Sequence, residues 1–231
     1  EKLGIVYTPI EVVDFINNSV NDILKHEFGL TLGSRDVHIL DPFTGTGTFI
    51  TRMMQCQDLI SKQELEHKYH HELHAFEILP LAYYVASINV ESVFHDLMGK
   101  DAAHYEPNKI MVLTDTFAEY EERQHPIAGS FGENAELRNT IRKLPIKVII
   151  GNPPYSVGQT SANDANQNES YPALEQRIAD TYVALGEDNI NSKSLYDSYI
   201  KAFRWASDRL GEQGVIAFVT NAGWLEAATS N

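Results

Sequence analysis

The sequence predicts an α/β fold: a mainly parallel sheet covered by helices on both faces. Short continuous apolar runs alternate with stretches of helical periodicity, and four of these runs end in an acid, a glycine loop or an Asn-Pro turn. Composition agrees, since 231 residues with 43% hydrophobic and 22% charged side chains suit a globular chain with a sizeable core, more readily one domain than two.

Thr8-Pro9-Ile10-Glu11 reads as a helix start, with a Thr cap, Pro in the first helical position and an acid in the first turn. Val13, Ile16, Val20, Ile23 and Leu24 follow at helical spacing. The first strand is Val37 to Leu40, running into Asp41-Pro42-Phe43-Thr44-Gly45-Thr46-Gly47-Thr48-Phe49 and a helix. Leu73 to Phe76 forms the second strand and ends at Glu77; the helix after it places Leu81, Tyr84, Val85 and Ile88 on one face. A third strand, Ile110 to Leu113, ends in Thr114-Asp115, and a fourth, Val148 to Ile150, runs into Gly151-Asn152-Pro153-Pro154-Tyr155. A helix over Leu195 to Leu210 precedes the fifth strand, Val215 to Val219. Ala118 to Lys143 reads as a charged surface excursion, and Ser156 to Ser170 as a polar segment with little to bury.

Charge and cysteine content exclude several classes. A net charge of −14 repels nucleic-acid phosphate on average, so a bare nucleic-acid-binding module is disfavoured. Cys56 alone cannot form an internal disulfide, and with no spanning-length apolar run or apolar leader the expectation is a soluble, cytoplasmic protein. The absence of an initial Met and the ending in Thr229-Ser230-Asn231 suggest a piece of a longer chain.

Ligands of open parallel sheets sit beyond the carboxyl ends of the strands. Gly45 and Gly47 let the backbone turn tightly and approach a ligand closely, although alone they equally suit a plain strand-to-helix turn. Ile50 stands where a dinucleotide fingerprint needs Gly or Ala, and no Lys between Asp41 and Thr51 supplies a phosphate loop, so both phosphate readings lose ground. Glu77 can accept hydrogen bonds from both hydroxyls of a ribose, and Asp115 from an adenine amino group with Phe117 on the ring; the competing reading of each acid is a helix-start residue. Together they favour an adenosine-bearing ligand without bound phosphate. Asn152-Pro153-Pro154-Tyr155 is a stiff turn that presents acceptors and few donors. Two acceptors on the hydrogens of a conjugated amine expose its lone pair, and an aromatic ring can stack on the planar group.

These motifs resemble the amino-methyltransferases that use S-adenosylmethionine, and more narrowly the adenine-specific DNA methyltransferases whose cofactor motifs precede the catalytic one. Tyr7-Thr8-Pro9 matches the leading motif, Asp41 to Phe49 the glycine loop, Glu77-Ile78 the ribose acid and its neighbour, Asp115-Thr116-Phe117 the adenine site, and Asn152 to Tyr155 the catalytic turn. The resemblance implies a Rossmann-like, doubly wound sheet of the S-adenosylmethionine-dependent methyltransferase type, truncated at one edge. It implies that Asn152 and the Pro153 carbonyl hold the target amine, that Tyr155 stacks on a flipped adenine, and that Thr8 lies near the methionine end of the cofactor. It further implies one catalytic domain over 1–231, with a helical segment at 1–36 and the core at 37–231. Gly4 to Pro9 and the polar segment after Tyr155 look like the methyltransferase part of large single-chain restriction-modification enzymes, whose target-recognition and helicase-nuclease regions lie outside this chain. DNA is the implied partner, bound weakly by this piece alone; an exposed last strand raises self-association, and oligomeric state stays open.

Thr220-Asn221 departs from the family, which often has Pro after this strand. Competing functions are protein glutamine methylation, served by a similar Asn-Pro-Pro-Tyr turn, and a non-catalytic cofactor-binding subunit. Cys56, read as a helical residue between two glutamines, does not suit a cytosine-carbon methyltransferase. His67, His70, His71 and His74 read as solvated, with no metal expected, and Glu119, Glu121 and Glu122 read as a solvated acidic loop.

Overall fold

The computed structural model describes residues 8–99, 105, 107–124, 132–154, 170–184 and 196–220. Among them, β1 (His38–Asp41), β2 (Leu73–Glu77), β3 (Met111–Leu113), β4 (Ile146–Gly151) and β5 (Val215–Phe218) form one parallel sheet in the order β3-β2-β1-β4-β5. Every strand read from the sequence is present, and β5 lies at an edge among the described residues. The succession of strands changes direction between β1 and β4, the place where ligands of such sheets sit.

Successive residues of each strand enter opposite cores. Ile39, Ala75, Met111, Val148 and Ile150 pack toward α1 (Ile10–Ile23), α2 (Thr48–Gln55), α3 (Lys62–His67) and α4 (Pro80–Met98). Leu40, Phe76, Val112 and Ile149 pack toward α5 (Thr116–Gln124), α6 (Glu133–Ile141), α7 (Pro172–Ile178) and α8 (Ser198–Leu210). Both faces are dry, hence the unbroken apolar runs. The N-terminal helix joins this core, since Val13 and Val20 are fully buried in it, and Asp14 and Arg52 pair α1 to α2 at 2.6 Å.

Several expectations are corrected. The helix start at Thr8 shifts by a residue: Pro9 is the N-cap of α1, and no side chain caps that end. α4 does place Leu81 (75% exposed), Tyr84 and Ile88 on one face, and this face is exposed while Ala86, Val90 and Phe94 face the core. Gly47 lies against this inward face, where a Cβ would stand 3.5 Å from Ala86 and Val90. The excursion over 118–143 contains α5 and α6 and buries Tyr120, Ala135 and Ile141. Glu119 is buried as well; burial pushes its carboxyl up to about 7, with Arg123, Arg142 and Arg138 opposing, while Glu122 pairs with Arg138 and Arg142. The acidic run is thus not a solvated loop, because Glu119 is buried and Glu122 is ion-paired to arginines that follow it in sequence. Cys56 ends α2 in extended conformation rather than lying within a helix.

At the amino ends of the strands, Lys68 has no exposed surface and donates to the carbonyls of Ser34 (2.6 Å) and Val37 (2.8 Å) while pairing with Glu72. Glu72 also accepts from the Asp36 N–H at 2.8 Å and binds His67 at 2.9 Å. His74 is buried and stacks on His38, with Nε2 to Nδ1 at 3.1 Å, so it is not solvated as the sequence suggested. Burial, reinforced by His38 and Arg209, depresses its imidazole to about 3. Among the described residues no group of three His, Cys, Asp or Glu side chains could hold a metal ion, and no helix is long and apolar enough to cross a membrane.

Candidate active site

The strand order brings Asp41, Glu77, Asp115 and Asn152 to one end of the sheet. After β1 the chain turns through Gly45 (φ 58°) and Gly47 (φ 87°), in the left-handed region that side-chain-bearing residues disfavour. Several hydrogen bonds fix this loop. Thr44 donates its N–H to the Phe76 carbonyl at 3.0 Å and its hydroxyl to the Asp41 carbonyl at 2.9 Å, and Asn89 of α4 donates to the Thr46 carbonyl at 2.9 Å. Thr46 and Thr48 are half-buried, their hydroxyls 3.4 Å apart, and Phe49 is buried with its carbonyl accepting from Asn17 of α1.

Glu77 joins this loop to β2. One carboxylate oxygen accepts the Gly45 N–H at 2.7 Å and the other the Leu79 N–H at 2.8 Å. Burial raises its carboxyl from the ordinary range, opposed by the N–H groups of Leu79, Gly45 and Ile78. Asp41 is fully buried; its Oδ1 accepts the Phe43 N–H at 3.1 Å, and its Oδ2 has no hydrogen-bond partner among the described residues. Burial pushes the Asp41 carboxyl up to about 8, against the Phe43 hydrogen bond and with help from the Glu77 charge. A Cβ on Gly151 would stand 2.6 Å from Asp41 Oδ1, so the last residue of β4 must be glycine for these strand ends to meet.

Asp115 caps α5. Its Oδ1 accepts from the Phe117 N–H at 2.9 Å, and its Oδ2 accepts from the Tyr171 hydroxyl at 2.7 Å. Thr116 donates to the Pro42 carbonyl, tying α5 to the glycine loop. Phe117 is buried, tilted against Phe43 at 5.5 Å and edge-on to Tyr171 at 5.4 Å; Ile78 is half-buried beside Glu77. Tyr171 went unread in the sequence because it lies 56 residues from Asp115 and belongs to no motif. Glu121 accepts the N–H groups of Ala173 and Leu174 at 3.0 Å, so α5 clamps the start of α7 at two points.

Asn152 and Pro154 are half-buried and Pro153 is buried directly after β4. Val219 donates its N–H to the Gly151 carbonyl at 3.0 Å, holding the end of β5 beside this turn. Asn152 Nδ2 donates to the Thr8 hydroxyl at 3.1 Å, which brings the leading motif to the Asn-Pro-Pro turn. Tyr7 and Tyr155 lie outside the described residues.

The profile of the N-6 DNA methylase family matches residues 1–191. The chain belongs to the N-6 DNA methylase family. Among solved structures this N-6 DNA methylase chain is similar to DrdV, determined in complex with DNA (TM-score 0.84, 40% identity, covering 97% of this chain and 21% of that one). It is similar also to a nuclease-deletion mutant of the Type ISP restriction-modification enzyme LlaGI with a DNA substrate mimic (TM-score 0.82, 47% identity, 93% of this chain and 18% of that one). A third is the ATP-dependent Type ISP enzyme LlaBIII bound to DNA (TM-score 0.82, 44% identity, 96% and 15%). The chain therefore spans only 15–21% of the length of these enzymes. Comparison with curated proteins returned no match. With these relatives, the expected Rossmann-like methyltransferase sheet stands as the observed fold.

Proposed function

We propose that this chain transfers a methyl group from S-adenosylmethionine to the exocyclic amine of adenine in DNA, as the modification part of a large restriction-modification enzyme acting in the cytoplasm. The observation that carries the reading is the Asn152-Pro153-Pro154 turn at the end of β4, joined through Gly151 and Asp41 to the glycine loop. Family membership and the length of the similar enzymes support it.

The donor set fits the cofactor. Backbone N–H groups reach both Glu77 oxygens without exhausting their acceptor capacity, so the carboxylate can still accept from a ribose hydroxyl. A Cβ built on Gly45 meets nothing within 4 Å, so the loop leaves open space there. Asp41 Oδ2, buried and without a partner among the described residues, is a further polar atom at the same strand ends. Asp115 offers remaining acceptor capacity to an adenine amino group, and Ile78 and Phe117 supply apolar surface. The bound cofactor supplies an electrophilic methyl group on a sulfonium.

At the target, Asn152 Oδ1 and the Pro153 carbonyl are the acceptors for the two amine hydrogens, and Tyr155 is the stacking residue. An adenine amine is a weak nucleophile because its lone pair is delocalised into the ring. Holding both hydrogens out of the ring plane returns that lone pair to nitrogen, so the turn works by orientation rather than as a base. The net charge of −14 supplies no general attraction for DNA, so contacts that offset base flipping come from the remainder of the enzyme.

The test is mass spectrometry of nucleosides from duplex DNA incubated with the full-length protein and isotopically labelled S-adenosylmethionine. Label in N6-methyldeoxyadenosine is the expected result. Label only in protein glutamine, or in no product, overturns the reading.

A further inference from the structure

We infer that Thr8 is a positioning residue for Asn152, holding its amide by the Nδ2 end so that Oδ1 is presented to the target amine. The inference rests on the methyltransferase reading above and adds a residue to its machinery. Thr8 precedes a helix and has the sequence of a capping residue, yet its hydroxyl does not cap: α1 has Pro9 as N-cap and no side-chain cap. The N–H groups of Val12 and Val13 both bond the Pro9 carbonyl, at 3.0 and 3.1 Å. The hydroxyl instead accepts from Asn152 Nδ2 at 3.1 Å, across 144 residues of sequence.

A contact between two loops positions nothing unless both sides are rigid, and here both are. Asn152 follows β4, whose Gly151 is packed against Asp41 and bonded to Val219. Thr8 leads into α1, which is fastened to the glycine-loop helix α2 at several points. Buried Asn17 donates to the Phe49 carbonyl at 3.3 Å, and Arg52 grips Asp14 with bonds of 2.9 and 2.6 Å. Asn21 accepts the Leu32 N–H at 3.0 Å, which fixes the far end of the same helix. The Thr8 hydroxyl is therefore registered to the cofactor loop on one side and to the catalytic turn on the other.

The chemistry needs that registration. An amide is nearly symmetric in shape but not in function, because only its oxygen can accept a hydrogen from the amine, and an amide rotated about its Cβ–Cγ bond presents donors to donors. The oxygen and nitrogen occupy opposite corners of the group, so an amide held at nitrogen directs its oxygen away from Thr8. The resemblance to the family implied contact between Thr8 and the methionine end of the cofactor. The geometry points to the catalytic amide instead, and the two roles have different kinetic signatures.

The experiment measures single-turnover methyl transfer to duplex adenine and cofactor affinity in the full-length protein. Its variants are Thr8→Val, Thr8→Ser, Asn152→Ala and the double variant Thr8→Val/Asn152→Ala. Valine keeps the shape and removes the hydrogen bond, so Thr8→Val should be roughly tenfold slower at saturating cofactor with cofactor affinity within about twofold of wild type, as loss of one hydrogen bond near 1.4 kcal/mol implies. Thr8→Ser should restore most of the rate. In the Asn152→Ala background Thr8→Val should have no further effect, because the group it positions is gone. Multiplicative losses in the double variant, a wild-type rate for Thr8→Val, or a loss of cofactor affinity in that variant would each overturn the inference. Unchanged affinity also shows that the variant folds. Wild-type protein that methylates no adenine overturns the reading of the site and this inference with it, whereas an active wild type with unchanged Thr8→Val overturns this inference alone.

Discussion

At the carboxyl ends of the strands, burial raises the carboxyls of Asp41 and Glu77, and only backbone N–H groups oppose it. At the amino ends, Glu72 is also pushed upward by burial, yet hydrogen bonds from Lys68, the Asp36 N–H and His67 outweigh that and hold it below the usual carboxylate range. The difference separates structure from function on one sheet. Glu72 has received its cation during folding and has little left to offer. Asp41 and Glu77 have no cation among the opposing groups, which suits the proposed cofactor with its sulfonium, ammonium and ribose hydroxyls. An acid placed like Glu72 fixes the chain, whereas acids placed like Asp41 and Glu77 fit the proposed role of meeting a ligand.

Removing the cation of the amino-end network breaks the comparison most forcefully. Lys68→Met leaves Glu72 buried without its ion pair and deprives the Ser34 and Val37 carbonyls of their donor. We expect a loss of about 3–5 kcal/mol of stability, read as a lower urea midpoint, with unchanged cofactor affinity in the fraction that stays folded. A stability loss under 1 kcal/mol would show that the network is not what secures this end of the sheet. At the other end the signature reverses. Asn152→Ala should leave stability and cofactor affinity nearly intact while slowing methyl transfer on the order of a hundredfold, since it removes a preorganised partner of the reacting group. Single-turnover rates near wild type would remove Asn152 from that role.

The contrast was only half legible in the sequence. The site end could be read because each strand stops in a residue with a local job: glycines that permit a turn, an acid that follows an apolar run, prolines that fix a backbone. The amino-end network could not, because although Lys68 and Glu72 stand at helical i,i+4 spacing beside His67, nothing in their order marks the pair as buried or as bonded to Asp36, Ser34 and Val37 more than thirty residues earlier. The orientation of α4 was hidden for a related reason. Leu81, Tyr84, Val85 and Ile88 form one apolar face and Ala86, Val90 and Phe94 another, and only packing against the rest of the fold decides that the second is buried. Thr8 shows the limit inside the site itself: its sequence context signals a cap, and only the assembled fold reveals a bond to a residue 144 positions away. Tyr171 was missed because its hydroxyl meets Asp115 through the tertiary fold alone.

A subtler change probes the buried, uncompensated carboxyl of Asp41 through pH. Its carboxyl is raised to about 8 when folded, so the native state keeps a proton that the unfolded chain releases near pH 4. The stability this proton provides is full below the unfolded value and is lost as pH rises through about 8. Asp41→Asn imitates the protonated acid: it retains an oxygen for the Phe43 N–H and adds no charge. Between pH 6.5 and 8 the wild type should therefore lose roughly 1–2 kcal/mol more than the variant in paired urea titrations. His74 works in the opposite direction and in a lower window, because an imidazole depressed to about 3 destabilises the fold only as pH falls below its ordinary value near 6.5. Equal slopes for wild type and Asp41→Asn above pH 6.5 would mean that Asp41 is ionised in the native state and that the two ends of the sheet do not differ as described.

The smallest expected effect tests whether Asp115 belongs with Asp41 and Glu77 or with Glu72. Its Oδ2 is bonded to the Tyr171 hydroxyl, a neutral donor, so the carboxylate has a partner but no compensating charge. Tyr171→Phe removes that bond and keeps the ring that packs edge-on against Phe117. Glu121 continues to hold the start of α7 through the N–H groups of Ala173 and Leu174, so the helix should not detach. The cost should then be about 0.5–1.5 kcal/mol in stability, the net value of one hydrogen bond. Cofactor affinity measured by calorimetry should change less than threefold, because the oxygen released by Tyr171 remains available to an adenine amino group. A tenfold or greater loss of affinity would show that Asp115 must be held by Tyr171 to receive the cofactor, and would move this acid into the class of residues that are completed by the fold before any ligand arrives.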